Sequence, residues 1–199
     1  IMSEAKVMHV YCIEGCHGVG KSSLLNAISQ QFTVLDEMFT DMPSYDFISS
    51  QSLPMEFIWV ANWFQRLLRI YQQDYKQVIF ADRSPFSAVY YSKSSLATQK
   101  MLKTLISSMI AELRLKNIMI ETICVKVEKQ ILWERIQQRL VEQPFRAKYN
   151  EGSIEWMEKT WDFFNSFEWD HEIWNNTNVE QNLKEYFFTK LTQVGVVCE

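Results

Sequence analysis

The chain has 199 residues, is 47% hydrophobic and 22% charged, and carries a formal net charge of −4 at pH 7. This composition is typical of a globular protein with enough chain to bury a sizeable core. The acidic balance and the lack of a long Lys/Arg run exclude nucleic acid or an anionic membrane as the main partner, and no apolar run is long enough to span a membrane.

The four cysteines predict reduced thiols and no zinc site. Cys12 and Cys124 lie in apolar, strand-like runs, where cysteine behaves as a small hydrophobe. Cys12, Cys16 and His17 are close in sequence, but no second pair of ligands follows, as a zinc site requires. We therefore expect an intracellular, cytoplasmic protein.

Strand-like and helical patterns alternate along the chain. In order, the predicted elements are a strand at 7–13, a helix at 22–31, a strand at 32–35, a helix at 55–75, a strand at 77–81, a helix at 96–115, a strand in the latter half of 118–127, helices at 129–140 and 153–167, a strand at 172–175 and a helix at 179–192. Residues 141–152 are polar, contain Pro144 and are predicted to form a loop or lid. The alternation predicts a three-layer α/β fold with a central parallel sheet, in one domain that spans residues 1–199.

A phosphate-binding motif, G-x-x-x-x-G-K-[ST], lies between the first predicted strand and the first predicted helix. Its glycines let backbone N–H groups face phosphate oxygens, and the helix that follows adds the positive end of its dipole. The predicted ATP-binding residues are Gly15, His17, Gly18, Val19, Gly20, Lys21, Ser22 and Ser23. Lys21 is predicted to reach the β- and γ-phosphates, and the Ser22 hydroxyl to ligate Mg²⁺. The alternative is a glycine-rich turn with a surface lysine.

Charged residues follow two of the other predicted strands. Asp82 and Arg83 come directly after the strand at 77–81, and ligands of parallel α/β sheets bind at such ends. Asp82 is predicted to hold Mg²⁺ directly or through water, and Arg83 to bind a phosphoryl oxygen or the attacking group. The alternative is a structural ion pair at a helix start.

A second acidic pair ends the strand at 32–35. Glu37 is the candidate catalytic base that takes the proton of an attacking hydroxyl, with Asp36 as the other choice. The alternative is a solvated acidic turn.

Three arginines surround the predicted lid. Arg135 and Arg139 are four residues apart on one helix face, and Arg146 lies within the lid. Phosphoryl transfer needs positive charge over the transferred group, which makes Arg139 the candidate catalytic arginine and Arg135 a candidate ATP ligand. The alternative is a solvated basic face.

The helix at 55–75 is crowded with aromatic residues. Trp59 and Asn62 are the candidate substrate-binding residues, because an amide on an aromatic face can pair with the edge of a base. The alternatives are an ordinary core tryptophan and a partly buried amide.

Several of these motifs together resemble one family. Residues 13–22 resemble the phosphate-binding loop of the deoxynucleoside kinase and thymidylate kinase superfamily, and Glu-Gly-x-His-Gly-Val-Gly-Lys is most similar to herpesvirus-type thymidine kinases. Residues 82–87 resemble the Asp/Glu-Arg-x motif of that superfamily, and residues 60–63 the Ala-Asn-Arg-Trp segment of thymidylate kinases. Residues 135–139 resemble the Arg-x-x-x-Arg entry to the lid, and residues 174–179 the loop beside adenine.

The resemblance implies a kinase that uses ATP and Mg²⁺. Lys21 and Ser22 match the ATP-binding lysine and the Mg²⁺ hydroxyl, Asp82 the acidic residue on the Mg²⁺ side, Arg83 the arginine near the acceptor oxygen, and Glu37 the catalytic base of nucleoside kinases. The implied reaction phosphorylates the 5′-hydroxyl of a deoxynucleoside such as thymidine, a step toward DNA synthesis. The herpesvirus-like loop points weakly to a virus, in which case the protein is expected in the host cytoplasm.

Some residues differ from the family pattern, and these differences bear on whether the acceptor is a free hydroxyl or a monophosphate. Glu37 is followed by methionine where nucleoside kinases have proline, and His17 stands where thymidylate kinases tend to carry an acid. No arginine precedes Arg66, whereas thymidylate kinases bind the acceptor phosphate with an early arginine. The departures at His17 and at the early arginine favour a free hydroxyl as acceptor, whereas the Asn62 segment favours thymidylate kinase, which remains the alternative.

Two further alternatives and one assembly question stay open. A nucleotide-binding switch of the GTPase kind needs an Asn-Lys-x-Asp sequence, which the chain lacks, and a degenerate kinase that only binds nucleotide is a second possibility. The helix at 96–115 offers an apolar face through which a homodimer can form.

Overall fold

The structure, a computed structural model, describes residues 6–37, 42–176 and 183–196, apart from the side chains of residues 148 and 149. The strands are β1 (Met8–Glu14), β2 (Thr33–Leu35), β3 (Val78–Asp82), β4 (Ile118–Lys126) and β5 (His171–Trp174). The helices are α1 (Lys21–Ile28), α2 (Leu53–Gln73), α3 (Ser87–Tyr91), α4 (Leu96–Arg114), α5 (Lys129–Glu142), α6 (Ile154–Ser166) and α7 (Leu183–Gln193), with a 3-10 helix at Pro144–Tyr149.

The five strands form one parallel sheet in the order β2-β3-β1-β4-β5, with helices flanking it. The central position of β1 follows from its composition, since six of its seven residues are buried and buried parallel strands read as continuous apolar runs. The predicted α/β fold with a central parallel sheet is thereby confirmed.

Some predicted boundaries were wrong for identifiable reasons. β4 occupies the whole of Ile118–Lys126, because its first half alternates buried and partly exposed residues, a pattern that suits a strand as well as the apolar run of its second half does. Residues 141–152 are more regular than predicted: α5 continues to Glu142 and a 3-10 helix starts at Pro144, where a proline needs no N–H partner. The helix α3 has five residues, too few to show a period. The predicted helix at 179–192 begins outside the described residues and is observed at Leu183–Gln193.

The chain divides into two compact units that each have their own contacts. The first unit comprises 1–12 and 33–121, and the second comprises 13–32 and 122–199. The prediction of a single domain over 1–199 stays a prediction. Among the described residues, no helix is both long enough and apolar enough to cross a membrane.

In the first unit, α2 is the element that organises the core. Its apolar residues recur at three- and four-residue spacing, so one face is buried while the other contacts solvent. The buried positions are Met55, Glu56, Trp59, Val60, Trp63, Phe64 and Leu67. Helix α3 packs against both α2 and α4, and α4 keeps Met101 and Leu105 exposed on one face. A homodimer through that face stays a prediction.

In the second unit, a side-chain clamp joins β4 to the turn before β5. Oδ2 of Asp170 accepts hydrogen bonds from the backbone N–H and the hydroxyl of Thr122, each at 2.7 Å. The backbone N–H of Asp170 donates to the same hydroxyl at 3.0 Å. Because Thr122 is buried, these bonds fix the start of β5 against β4.

The substitution Thr122→Val tests this clamp. Valine keeps the shape of threonine but removes the hydroxyl, which leaves Asp170 and its backbone N–H without that partner, so we expect a loss of about 1–3 kcal/mol in the free energy of unfolding. Urea denaturation followed by tryptophan fluorescence measures it. The matched control Thr104→Val, on the exposed side of α4, should change it by less than about 0.5 kcal/mol. Equal effects of the two variants would contradict the clamp.

Candidate active site

The glycine loop between β1 and α1 belongs to the second unit and packs closely against β4 and α5 of that unit. Gly15 and Gly18 have φ angles of 141° and 85°, which L side chains rarely adopt. A Cβ atom on Gly15 would lie 2.5 Å from the carbonyl oxygen of Val125, and one on Gly18 would lie 2.8 Å from Cγ1 of Ile136. Glycine at these two positions is therefore a steric requirement of the loop.

Lys21 begins α1 directly after the loop. Its Nζ donates to the carbonyl oxygens of Gly15 at 2.9 Å and Cys16 at 3.2 Å, and its side chain is buried. Ser22 and Ser23 are exposed on the first turn of the same helix. A buried ammonium and an exposed hydroxyl at a helix N-terminus are suited to phosphate oxygens and a divalent cation.

Asn175, which follows β5, holds the glycine loop from the side. Its Nδ2 donates to the carbonyl oxygen of Val19 at 2.9 Å, and its backbone N–H donates to the carbonyl oxygen of Lys126 at 2.9 Å. The same Nδ2 would lie 2.9 Å from a Cβ atom on Gly20. Sequence reasoning missed this residue; its only signal was the resemblance of residues 174–179 to a loop beside adenine.

His17 is packed inside the second unit. Its ring lies 4.4 Å from the ring of Trp156 at an interplanar angle of 42°, and Nδ1 lies 3.4 Å from Sγ of Cys16. Ser153 caps α6 by accepting from the backbone N–H of Trp156, which fixes the partner ring. A role for His17 in ATP binding stays a prediction.

The structure brings two of the lid arginines together on one carboxylate. Nη2 of Arg139 donates to Oε2 of Glu151 at 2.5 Å, and Nη1 of Arg146 donates to Oε1 at 3.2 Å. Burial lowers the pKa of Arg139, while the Glu151 carboxylate acts in the opposite direction. Arg135 lies one turn earlier on α5 and is half-buried. Glu151 is thus the residue that orients the lid arginines, and no pattern in the sequence pointed to it.

In the first unit, the register of the sheet places Glu37 beside Arg83. Leu35 of β2 pairs with Ala81 of β3 in parallel, so Glu37 and Arg83 each lie two residues beyond that pair. Nε of Arg83 donates to Oε1 of Glu37 at 2.7 Å. The two candidate catalytic residues therefore form an ion pair at the carboxyl end of these strands, where parallel sheets bind ligands.

Three aromatic side chains contact the two residues of the Glu37–Arg83 ion pair. Nε1 of Trp59 donates to the carbonyl oxygen of Glu37 at 2.9 Å, and Nε1 of Trp63 donates to that of Arg83 at 3.2 Å. The guanidinium carbon of Arg83 lies 5.1 Å from the ring centroid of Tyr91, within the range of a cation–π contact. Arg83 also has a φ of 72°, an uncommon conformation for a residue with a side chain, and such conformations cluster at functional sites.

The other acidic residue after β2 has a different environment. Asp36 pairs through Oδ1 with Nη2 of Arg66 at 2.6 Å, and its carbonyl oxygen accepts from Nη1 at 2.8 Å. Its side chain is 74% exposed, compared with 38% for that of Glu37. Of the two acids, Glu37 has the shielded position beside Arg83.

Two of the predicted residues lie at the margin of this cluster. Asp82, the last residue of β3, is half-buried directly before Arg83. Asn62 is exposed on α2, and its Nδ2 lies 3.5 Å from Sδ of Met42. Their roles in metal and substrate binding stay predictions.

A third carboxyl group in the first unit was missed by sequence reasoning. Glu56 lies in the first turn of α2 and is only 4% exposed. Burial raises its pKa to about 8, and the nearby Glu37 charge acts in the same direction, while Arg83 acts against them. An acid near a helix N-terminus is normally read as a surface residue that favours the helix dipole, so the sequence gave no signal of its burial.

Three of the four cysteines lie in the part of the chain that the structure describes. Cys12, Cys16 and Cys124 are buried and none forms a disulfide, and burial raises the pKa of Cys124. No group of three or more His, Cys, Asp or Glu side chains in the described residues is arranged to hold a metal ion.

The fold and the glycine loop define a P-loop, kinase-like nucleotide-binding domain. Residues 10–158 match the family described as AAA domain, and because this is more than half of the chain, the protein belongs to that family of P-loop NTPase domains. It matches none of the curated proteins.

A solved structure supports the same fold. The chain is similar to polyphosphate kinase 2 from Arthrobacter aurescens TC1, with a TM-score of 0.58 and 12% sequence identity over 97% of this chain and 69% of the other. At this identity the likeness shows the fold alone, which is that of P-loop kinases.

The substitution Gly15→Ala tests the steric requirement of the loop. The added Cβ would meet a backbone oxygen that cannot move without displacing β4, so we expect at least a tenfold loss of ATP affinity together with a lower free energy of unfolding. Calorimetric titration with ATP and urea denaturation measure the two effects.

Gly195→Ala is the matched control for this variant. Gly195 also has a positive φ, of 83°, but a Cβ there would meet no atom within 4 Å. This control should lose only about 1 kcal/mol of stability and keep its ATP affinity. A Gly15→Ala protein that binds ATP as tightly as the control would contradict the account of the loop.

Proposed function

We propose that this protein is an ATP-dependent deoxynucleoside kinase, which transfers the γ-phosphoryl group of ATP to the 5′-hydroxyl of a deoxynucleoside such as thymidine. The observation that carries the proposal is the ion pair between Glu37 and Arg83 at the carboxyl ends of β2 and β3. A carboxylate held by a guanidinium can accept a proton from a hydroxyl while the arginine binds the oxygen that is losing it.

The charge balance of this cluster favours an uncharged acceptor. Arg83 is paired with Glu37, and Arg66 is paired with Asp36. The four charges cancel, so an anionic acceptor would have to displace a carboxylate before it met a guanidinium. A hydroxyl group needs no such displacement, because it donates to Glu37 and accepts from Arg83 with the pair intact.

The proposed chemistry assigns one role to each acceptor-side residue. Glu37 takes the proton of the 5′-hydroxyl as the oxygen attacks the γ-phosphorus, and the bond from that phosphorus to ADP breaks. Arg83 stabilises the charge on the attacking oxygen. Trp59 holds the main chain of Glu37 and is the candidate aromatic residue for contact with the base of the acceptor. Asn62 is the candidate for pairing with an edge of that base.

On the donor side, the proposal uses the second unit. The glycine loop and Lys21 bind the phosphates of ATP, and Arg139, with Arg135 and Arg146, stabilises the phosphoryl group during transfer. Oxygen donors are the ligands that Mg²⁺ prefers. The Ser22 hydroxyl of this unit is such a donor and would hold Mg²⁺, which would neutralise charge on the phosphates. The Asp82 carboxylate of the first unit stays a second candidate ligand.

Thymidylate kinase is the second candidate, and one structural observation favours it. The chain has no arginine before Arg66, but the structure places Arg66 beside Asp36, directly after β2. The Asp36 side chain of this ion pair is exposed, and screening by solvent weakens ion pairs between exposed groups. The phosphate of an acceptor monophosphate can therefore compete with Asp36 for this arginine.

An assay with radiolabelled ATP separates these candidates. Thymidine, the other deoxynucleosides, thymidine monophosphate and polyphosphate are tested side by side as acceptors, with a Lys21→Ala enzyme as the inactive control. We expect label in thymidine monophosphate formed from thymidine. If label appears only in thymidine diphosphate, formed from the monophosphate, the protein is a thymidylate kinase. If no deoxynucleoside is labelled, the proposal is overturned.

The substitution Glu37→Gln tests the assignment of the base. Glutamine keeps the shape of the side chain but cannot accept the proton, so turnover should fall by about 10²–10⁴-fold, while the dissociation constant for the deoxynucleoside changes much less. The matched control is Asp36→Asn, at the exposed acid next to it, which should keep turnover within about threefold. A Glu37→Gln enzyme with normal turnover would remove the base assignment.

A further inference from the structure

Glu56 is a buried polar group that the proposed reaction does not yet use. Its side chain is 4% exposed, and its Oε1 has no hydrogen-bond partner within the described residues. A buried polar atom left without a partner destabilises the fold, and such groups in a native fold call for an explanation.

The position of Glu56 on α2 connects it with the acceptor cluster. Glu56, Trp59 and Trp63 are three and four residues apart, so they lie on the same buried face of the helix. The two tryptophans on that face hold the backbone of Glu37 and of Arg83. Glu56 therefore extends the row of side chains that carries the ion pair.

The charge state of Glu56 follows from the same surroundings. Desolvation is the main cause that raises its pKa to about 8; the Arg83 guanidinium acts against this rise and the Glu37 carboxylate acts with it. Below that pH the side chain is a neutral carboxylic acid, which donates one hydrogen bond and accepts others. Above it, the carboxylate would add a second negative charge to the surroundings of Arg83.

We propose that Glu56 is a further acceptor-binding residue, whose carboxyl group, on the same face of α2 as Trp59 and Trp63, forms a hydrogen bond with an uncharged polar group of the acceptor. This inference rests on the proposed function for the identity of the acceptor. A neutral acid suits a hydroxyl or a ring amide, since either can complete the hydrogen bonding of Oε1.

Two variants separate this role from a purely structural one. Glu56→Met keeps about the same volume and removes the hydrogen-bonding group, whereas Glu56→Gln keeps a neutral group that both donates and accepts. We expect Glu56→Met to raise KM for the acceptor by about 10- to 100-fold with KM for ATP within twofold. We expect Glu56→Gln to keep KM for the acceptor within about threefold. Glu112→Gln, on the exposed side of α4, is the matched control and should change neither constant.

The pH dependence supplies a second readout that a structural role would not give. As the pH rises from 7 to 9, wild-type Glu56 ionises and KM for the acceptor should rise. In Glu56→Gln this increase should be absent, and since both enzymes are given the same acceptor, ionisation of the acceptor itself cancels. Circular dichroism shows whether Glu56→Met folds. If it does not fold, the pH dependence of KM in the wild type and in Glu56→Gln still tests the role of Glu56.

The outcomes distinguish this inference from the proposed function. If no deoxynucleoside is phosphorylated by the wild-type enzyme, the proposed function fails, and the same comparison of KM values is made with whichever acceptor is labelled. If an acceptor is phosphorylated but folded Glu56→Met leaves its KM unchanged, the inference about Glu56 fails alone. Parallel pH profiles for the wild type and Glu56→Gln would overturn it as well.

Discussion

The ion pair between Glu37 and Arg83 depends on the parallel pairing of β2 with β3. With Leu35 opposite Ala81, the chain brings each charged residue to the same distance beyond the strand ends, and a slip of one residue would turn Glu37 to the other face. The tryptophans of α2 then fix the backbone on both sides of the pair. The acceptor chemistry proposed for this protein thus follows from a strand register and one helix face.

Carboxylates orient the arginines in both units. Arg83 has Glu37 and Arg66 has Asp36 in the first unit, while Arg139 and Arg146 share Glu151 in the second. Holding a guanidinium in one orientation reduces the side-chain entropy lost when a ligand binds. In phosphoryl transfer, positioning and electrostatic stabilisation account for almost all of the catalysis, so in the proposed reaction these carboxylates would act by holding the arginines in position.

Local sequence signals predicted the fold well because they act over short distances. The buried run of β1, the glycine loop and the start of α1 are contiguous, and each has its own periodicity or composition. The long helix α2 was recognisable from its apolar spacing for the same reason. The five residues of α3 and the 3-10 helix of the lid are too short to show a period, which is why they were not predicted.

The contacts that complete the candidate site were not predictable in the same way. Asn175 bonds to Val19 across 156 positions of the chain, and nothing near either residue indicates this contact. Glu56 and Glu151 look like ordinary surface acids in the sequence, and only their burial in the folded chain distinguishes them. The choice of Glu37 over Asp36 likewise rested on position alone until the structure gave their different partners.

The central claim is that Glu37 neutralises Arg83 and so directs the protein toward an uncharged acceptor. The most direct test measures the dissociation constants of thymidine and of its 5′-monophosphate for the wild-type protein and for Glu37→Gln by calorimetry. The account predicts that the wild type binds the nucleoside more tightly, and that removing the carboxylate charge shifts the ratio toward the monophosphate by about tenfold or more. A wild-type preference for the monophosphate that the substitution leaves unchanged would contradict it.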